Sequence, residues 1–313
     1  MRSTAGIRRR VVSEGYRDAD PIARLDRTDP GYPACLDDLP DAPRQLFAIG
    51  DRSALDAAPA GLVAIVGTRE ASSYGLRVAK ALGQAFAKAG AVVVSGMARG
   101  VDSAAHEGAL YAGGRTIAVL GTGPDVPYPA ANRGLHRRVI ASGLVLSENE
   151  PGRMAYLGCF PRRNRIIAAL ARATIVVEAG HKSGALNTAG QALDLGRSVA
   201  AIPGPIDSPR SAGSNQLIRD GGQLIGTVDD ALGLLGLSRN GAVHRPEMGA
   251  AEAEVWDCLG QGELPVDAIC TRSGLGVRPV LEAVSRLELA GLVARLPDGQ
   301  IGRVLVGEAL QVY

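Results

Sequence analysis

A chain of 313 residues with 46% apolar, 21% charged and 4% aromatic residues and a net charge of +2 can bury one large core and a smaller module. That balance excludes disorder, collagen-like repeats and disulfide-stapled scaffolds. Glycine, at 41 residues, is nearly double its usual share of about 7%, and of the 34 basic residues only Lys80, Lys88 and Lys182 are lysine.

The first 31 residues read as a short N-terminal segment. Its Arg2, Arg8, Arg9 and Arg10 cluster reads as a disordered terminus, with a basic arm as the alternative. Met1 to Asp20 lacks the apolar stretch of a signal peptide, and no run approaches the roughly 18 apolar residues of a membrane span, so a cytoplasmic protein without membrane contact is expected. From about Tyr32 to residue 236, short β-branched runs alternate with helical stretches. Strands are expected at Leu62 to Val66, Ala91 to Ser95, Thr116 to Leu120, Leu144 to Leu146, Thr174 to Glu178 and Ser198 to Ile202. Segments such as Arg77 to Ala89, Val101 to Ala112 and Arg163 to Ala173 carry apolar residues at helical spacing between them. The expected fold is α/β: an extended Rossmann-like, doubly wound, mostly parallel sheet.

Residues 237–248, with Asn240, Gly241 and Pro246, lose periodicity and read as a linker. The remainder, 249–313, reads as three helices followed by a hairpin over Leu292 to Val306, interrupted at Pro297, Asp298 and Gly299: a small C-terminal winged-helix-like domain. Residues 246–313 hold five arginines against ten acids, a net charge of −5, which leaves +7 on the rest of the chain. Polyanion binding therefore belongs to the α/β domain.

In such a sheet the ligand crevice lies beyond the carboxyl ends of the strands, and there one theme repeats: Gly67-Thr68-Arg69, Gly96-Met97-Ala98-Arg99-Gly100, Gly121-Thr122-Gly123, Gly180-His181-Lys182-Ser183-Gly184, and Gly204 onward to Arg210. Glycine lets backbone N–H groups approach an anion, helix N-termini add partial positive charge, and a neighbouring cation completes the site. Beside these turns stands Phe160-Pro161-Arg162-Arg163-Asn164-Arg165, whose arginines oppose the dipole of the helix they open unless an anion binds there; Phe160 offers a ring to a base. Glu178 reads as an acceptor for loop amides rather than a general base. The cysteines (35, 159, 258, 270) and histidines (106, 136, 181, 244) have no metal-ligand spacing, so no metal is expected. Gly121-Thr122-Gly123 lacks the third glycine of the dinucleotide fingerprint, and neither a phosphate-binding P-loop nor a serine-nucleophile elbow is present, so no cofactor and no catalytic set is expected.

Ile65-Val66-Gly67-Thr68-Arg69, Ser95 to Asp102, Gly121 to Pro129, Phe160 to Ile167, Lys182 to Leu186, and Pro203-Gly204-Pro205 leading to Gly213-Ser214-Asn215 resemble, in order and spacing, the DprA/Smf family of DNA-processing proteins over about Tyr32 to Leu235. The resemblance implies a non-catalytic, homodimeric protein that binds and protects incoming single-stranded DNA and loads the recombinase RecA in natural transformation. It assigns DNA contacts to Arg69, Phe160, Arg163, Arg165 and Lys182, with Gly67, Gly96 and Gly184 allowing close approach. Together with the strand-end turns, the expected interface is Gly67, Thr68, Arg69, Gly96, Arg99, Phe160, Arg162, Arg163, Asn164, Arg165, Lys182, Ser183 and Gly184. Three departures from the family pattern are the few residues ahead of Tyr32, where many members carry a SAM-like domain; Ala130-Ala131 where some carry lysine; and Gly221-Gly222 where Gly-Ala is common. The candidate dimer surface is Leu232, Leu234 and Leu235, with internal packing as the alternative.

Two other functions compete with this one. A nucleotide phosphoribohydrolase of the lysine-decarboxylase-like Rossmann type needs a P-G-G-x-G-T-x-x-E turn, replaced here by Glu178 to Gly184. A transcription regulator reading duplex DNA through the winged helix meets the acidity of that domain.

Overall fold

In the computed structural model, which describes residues 21–56, 60–238, 248–259, 264–290, 292–295 and 299–303, the apolar runs form one sheet. Its strands are β1 (Ala23–Asp26), β2 (Gln45–Gly50), β3 (Leu62–Val66), β4 (Val92–Ser95), β5 (Thr116–Leu120), β6 (Leu144–Ser147), β7 (Ala173–Val176), β8 (Ser198–Ala201) and β9 (Gln223–Leu224). They stand in the order β1-β2-β6-β5-β4-β3-β7-β8-β9. From β6 to β9 every pairing is parallel, and β2 runs against both β1 and β6. The mostly parallel, doubly wound sheet is therefore present, with two strands ahead of the Leu62 start. β1 lies before the expected boundary at Tyr32 and pairs Leu25 with Leu46, so residues 23–26 belong to the sheet rather than to a separate terminal segment. Its two charges, Arg24 and Asp26, pair with each other at 2.7 Å, and a four-residue edge strand so charged hides its one buried position, Leu25.

Helices cover both faces, which is why the central strands are continuous apolar runs. On one side lie α1 (Ser73–Lys88), α2 (Val101–Tyr111) and α3 (Arg133–Ser142); on the other lie α4 (Cys159–Leu170) and α5 (Gly184–Asp194). Leu82 and Phe86 of α1 pack on Val63, Ile65 and Val93. Ile166, Ile167 and Leu170 of α4 pack on Val66, Val94 and Val119. Burial of Phe86 alone is worth about 1.5–3 kcal/mol. Val139 and Ile140 of α3 close the sheet over Ala118 and Val145. α6 (Ala212–Arg219) packs beside β8, and α7 (Val228–Gly233) lies against α1.

This last contact corrects the candidate dimer surface. Leu232 and Leu235 are buried with α1, and Leu234 packs on the same cluster. The leucines are internal because α7 folds back over the helix layer. α1 and α2 meet at backbone contact: a Cβ on Gly83 would strike the Ala105 carbonyl, and one on Gly108 the Lys80 carbonyl.

A separate core of Val255, Trp256, Ile269, Val280, Val284, Leu287, Val293 and Ile301 is built by α8 (Ala250–Cys258), α9 (Val266–Ser273), α10 (Val277–Leu289) and the antiparallel pair β10 (Val293–Arg295) and β11 (Ile301–Arg303). This is the expected winged-helix arrangement. Arg278, Arg286 and Arg295 pair with Glu282, Glu252 and Glu288, which removes free cations from a domain already acidic. The Arg2 to Arg10 cluster, most of the expected linker, and residues 296–298 and 304–313 lie outside the described residues. Among the described residues no helix is long and apolar enough to cross a membrane.

One buried titratable group gives the fold a pH signature. Thr116 Oγ1 donates to the Val93 carbonyl at 2.7 Å, so the His106 ring must donate from Nδ1 to Thr116 Oγ1, also at 2.7 Å. Its Nε2 is buried without a partner among the described residues. Burial, helped by the Arg163 charge, lowers the His106 pKa from 6.5 to about 3. The unfolded chain binds a proton that the folded chain refuses, so stability contributed by neutral His106 is lost as the pH falls from 6.5 toward 3. Guanidinium unfolding midpoints measured down this range should fall more steeply for the wild type than for His106→Asn; parallel curves would remove His106 as the cause.

Candidate nucleic-acid interface

From β3 the chain winds to β4 on one side, and β7 takes the other side of β3. The sheet order thus reverses between β3 and β7, where open α/β sheets bind ligands. A cavity of about 590 Å³ lies there, lined by Gly67 to Glu70 after β3, Lys182 to Ala185 at the start of α5, and Phe160, Arg163 and Asn164 of α4. A second cavity of about 300 Å³ shares Arg69, Ala98, Phe160 and Arg163 with it and adds Gly96, Arg99 and Tyr128.

Three of the five expected glycine turns therefore meet at this rim. The other two do not line it. In Gly121-Thr122-Gly123 the Gly123 amide donates to the Arg153 carbonyl at 2.7 Å and Thr122 Oγ1 to the Val126 carbonyl at 2.7 Å, so the turn is closed by its own chain. The loop from Gly204 to Arg210 is likewise absent from both linings. Gly67 is glycine for packing: a Cβ would sit 2.5 Å from Val101 Cγ2 and 2.9 Å from the Glu178 carbonyl oxygen. Glu178 accepts from the Ser72 amide at 2.8 Å and the Ser72 hydroxyl at 2.5 Å, and Ser72 in turn caps α1 by accepting from Gly75 N at 3.1 Å. The acceptor reading of that carboxylate holds.

The arginines of the α4 run divide into distinct roles. Arg163 is 7% exposed and its Nη1 donates to the carbonyl of Gly96 at 2.7 Å and to that of Val119. Its guanidinium occupies the space a Cβ on Gly96 would need. Burial lowers its pKa to about 10, opposed by the Asp102 charge, so it stays cationic at neutral pH. Asp102 is buried too, and its carboxylate accepts from the amides of Gly96 (3.2 Å) and Ala98 (3.3 Å). Burial raises its pKa while Arg163 and those amides pull it down.

Arg163 thus supports the floor from below. Arg165, expected at the rim, instead pairs with Glu148 and Asp41, each at 2.9 Å, and lines neither cavity. Exposed Arg162 reaches the same Glu148 at 2.8 Å. Asn164 donates to the Gly184 carbonyl and to Asn187 Oδ1, both at 3.2 Å, tying α4 to α5. Ser183 caps α5 by accepting from Ala185 N at 3.3 Å, and a Cβ on exposed Gly184 would meet nothing within 4 Å.

What remains at the surface is a small set. Arg69, Arg99 and Lys182 are exposed and form no ion pair among the described residues. The Arg69 guanidinium lies 5.3 Å over the Phe160 ring, and Tyr128 stands beside that ring with centroids 4.9 Å apart. Tyr128, Asp102 and Glu148 are site residues that the sequence reading did not assign. Met97, buried with φ of +58°, is a conformation an L-residue adopts only where its surroundings impose it. Here Asp102, the Ser103 hydroxyl on the Ala98 carbonyl (2.6 Å) and Asn132 on the Met97 carbonyl (2.7 Å) impose it. The arrangement offers cations, amides and rings to an anion carrying planar groups.

Comparison with known proteins gives the same direction. The sequence profile of the DNA recombination-mediator protein A family matches residues 24–236, and that of the DprA winged helix domain matches residues 244–299. The DNA processing protein DprA of Streptococcus pneumoniae is 44% identical over 204 residues, 65% of this chain and 71% of that protein. Its crystal structure superposes with a TM-score of 0.64 at 42% identity, over 67% of this chain and 73% of the other. The Helicobacter pylori DNA processing protein A, solved to describe its single-stranded DNA binding mode, superposes with a TM-score of 0.62 at 33% identity, over 68% of this chain and 95% of the other.

Because Arg163 balances a buried carboxylate, its removal should cost stability, unlike removal of a rim cation. Arg163→Ala should lose about 3–5 kcal/mol in chemical denaturation, with Arg163→Lys recovering only part because the fork is gone. Arg69→Ala should stay within about 0.5 kcal/mol of the wild type. Equal midpoints for Arg163→Ala and Arg69→Ala would refute the division of roles.

Proposed function

This chain belongs to the DNA recombination-mediator protein A family, the DprA/Smf DNA-processing proteins, and from that premise we propose that it binds single-stranded DNA along the strand-end rim, without turnover. The observation that carries the reading is the set of exposed cations Arg69, Arg99 and Lys182, without an ion pair among the described residues, around the rings of Phe160 and Tyr128. Phosphates on the cations supply affinity that is independent of sequence. The rings favour bases that are not already stacked in a duplex. The one buried carboxylate of the cavity, Asp102, is committed to the amides of Gly96 and Ala98, so the role we assign is binding rather than catalysis.

In this reading the contacts are Arg69, Arg99, Phe160, Lys182, Ser183 and Gly184, whose missing side chain leaves room for close approach. Gly67, Thr68, Gly96, Arg163 and Asn164 hold the rim in shape, and Arg162 and Arg165 set the position of α4 through Glu148. The protein acts in the cytoplasm as a homodimer, shields single strands and passes them to the recombinase RecA during transformation or recombination. The acidic winged helix, in which Arg278, Arg286 and Arg295 are paired with glutamates, is assigned to protein contact rather than to DNA.

Fluorescence anisotropy with a short labelled single strand and its duplex over a salt series tests the assignment. Three phosphate contacts predict a log-log slope of about −2 for the single strand, and Arg69→Ala or Lys182→Ala should each flatten it by about 0.7. Tighter binding of the duplex, or slopes unchanged in both variants, would sink it.

A further inference from the structure

A third cavity, of about 390 Å³, lies where α1 and α2 converge behind the Gly96–Gly100 turn, lined among others by Arg77 and Lys80 of α1 and by Arg99, Ser103 and Glu107. It shares Arg99 and Ala131 with the second cavity, and the second shares Arg69 and Phe160 with the first. The three are therefore contiguous through common side chains. Arg77 and Lys80, three residues apart, fall on one face of α1. Both are exposed and make no ion pair among the described residues, and Glu107 is the one acid in the lining. Lys80 Nζ lies 5.5 Å over the ring of Tyr111, which is 76% exposed at the end of α2. The backbone contact of the helices at Gly83 and Gly108 fixes these side chains relative to one another.

We propose that the α1–α2 cleft is a second stretch of the single-strand path. The strand leaves the rim over Arg99, places its next phosphates on Arg77 and Lys80, and stacks a base on Tyr111. The cation–ring pair of Lys80 and Tyr111 repeats the chemistry of Arg69 and Phe160, one cation for the backbone and one ring for a base. Being further along, the cleft engages only strands longer than those the rim alone accommodates. The proposal rests on the rim reading above and extends it.

The test compares oligothymidylates of about four and about fifteen nucleotides, lengths that bracket the usual single-strand site sizes, on the full chain. Arg77→Ala/Lys80→Ala should bind the short strand as the wild type does, but the long strand about tenfold more weakly, with a salt slope flatter by about 1.4 for two lost phosphates. Tyr111→Ala should weaken the long strand while leaving its salt slope unchanged. A double variant that binds the long strand with wild-type affinity and slope overturns the cleft alone and leaves the rim standing. A wild-type protein that binds neither length overturns both.

Discussion

One buried guanidinium fixes how the strand ends sit relative to one another. Arg163 arrives on α4, from one helix layer, and ties the Gly96 carbonyl after β4 to Val119 on β5. Asp102 arrives on α2, from the opposite layer, and holds the amides of the same turn. The two charges grip the same Gly96 turn from opposite layers, and each favours the ionised form of the other. Either ion alone would cost several kcal/mol to bury, and the pair roughly offsets that cost. Their contribution is thus less net stability than a defined shape: the turn carrying left-handed Met97 and exposed Arg99 has only one place to go. Arg163 also adds a positive field beneath the floor, where low dielectric weakens it less than water would.

The sheet was legible because strands buried on both faces must be continuous apolar runs, and Leu62 to Val66 or Thr116 to Leu120 are nothing else. β1 was not, since only Leu25 in it is buried, and β2 was passed over although Leu46 to Ile49 is an apolar run ending at Gly50. The rim was legible in outline from glycine beside a cation. Its division of labour was not read, though a signal existed: Arg163 falls in phase with Cys159, Ile166, Ile167 and Leu170, the buried stripe of α4. A charged residue in that phase has to find partners inside. Arg162 and Arg165, three apart, share the flank that reaches Glu148. Which acids would meet them depends on a partner 14 to 17 residues away and on Asp41 from another part of the chain, and no local pattern announces that.

Charge is also sorted between the two domains. The α/β part carries the positive excess, and at its rim the cations that remain after internal pairing are few and exposed. The winged-helix part is acidic, and its arginines 278, 286 and 295 are matched to glutamates. A polyanion is therefore drawn to one and repelled by the other.

On the proposed single-strand reading, discrimination against duplex would follow from what already sits on the Phe160 ring. Arg69 covers it at 5.3 Å and Tyr128 flanks it at 4.9 Å. An exposed cation–ring contact is worth about 0.5–1 kcal/mol, whereas a base stacked on an aromatic side chain is worth about 1–3 kcal/mol. An unstacked base therefore displaces Arg69 from the ring, and the released guanidinium is left beside the sugar–phosphate chain of that same nucleotide. A duplex has no free base face to make the exchange, so Arg69 stays on its ring and one phosphate contact is never formed. On that reading stacking and phosphate binding are coupled through one side chain, and discrimination against duplex would come from losing both together.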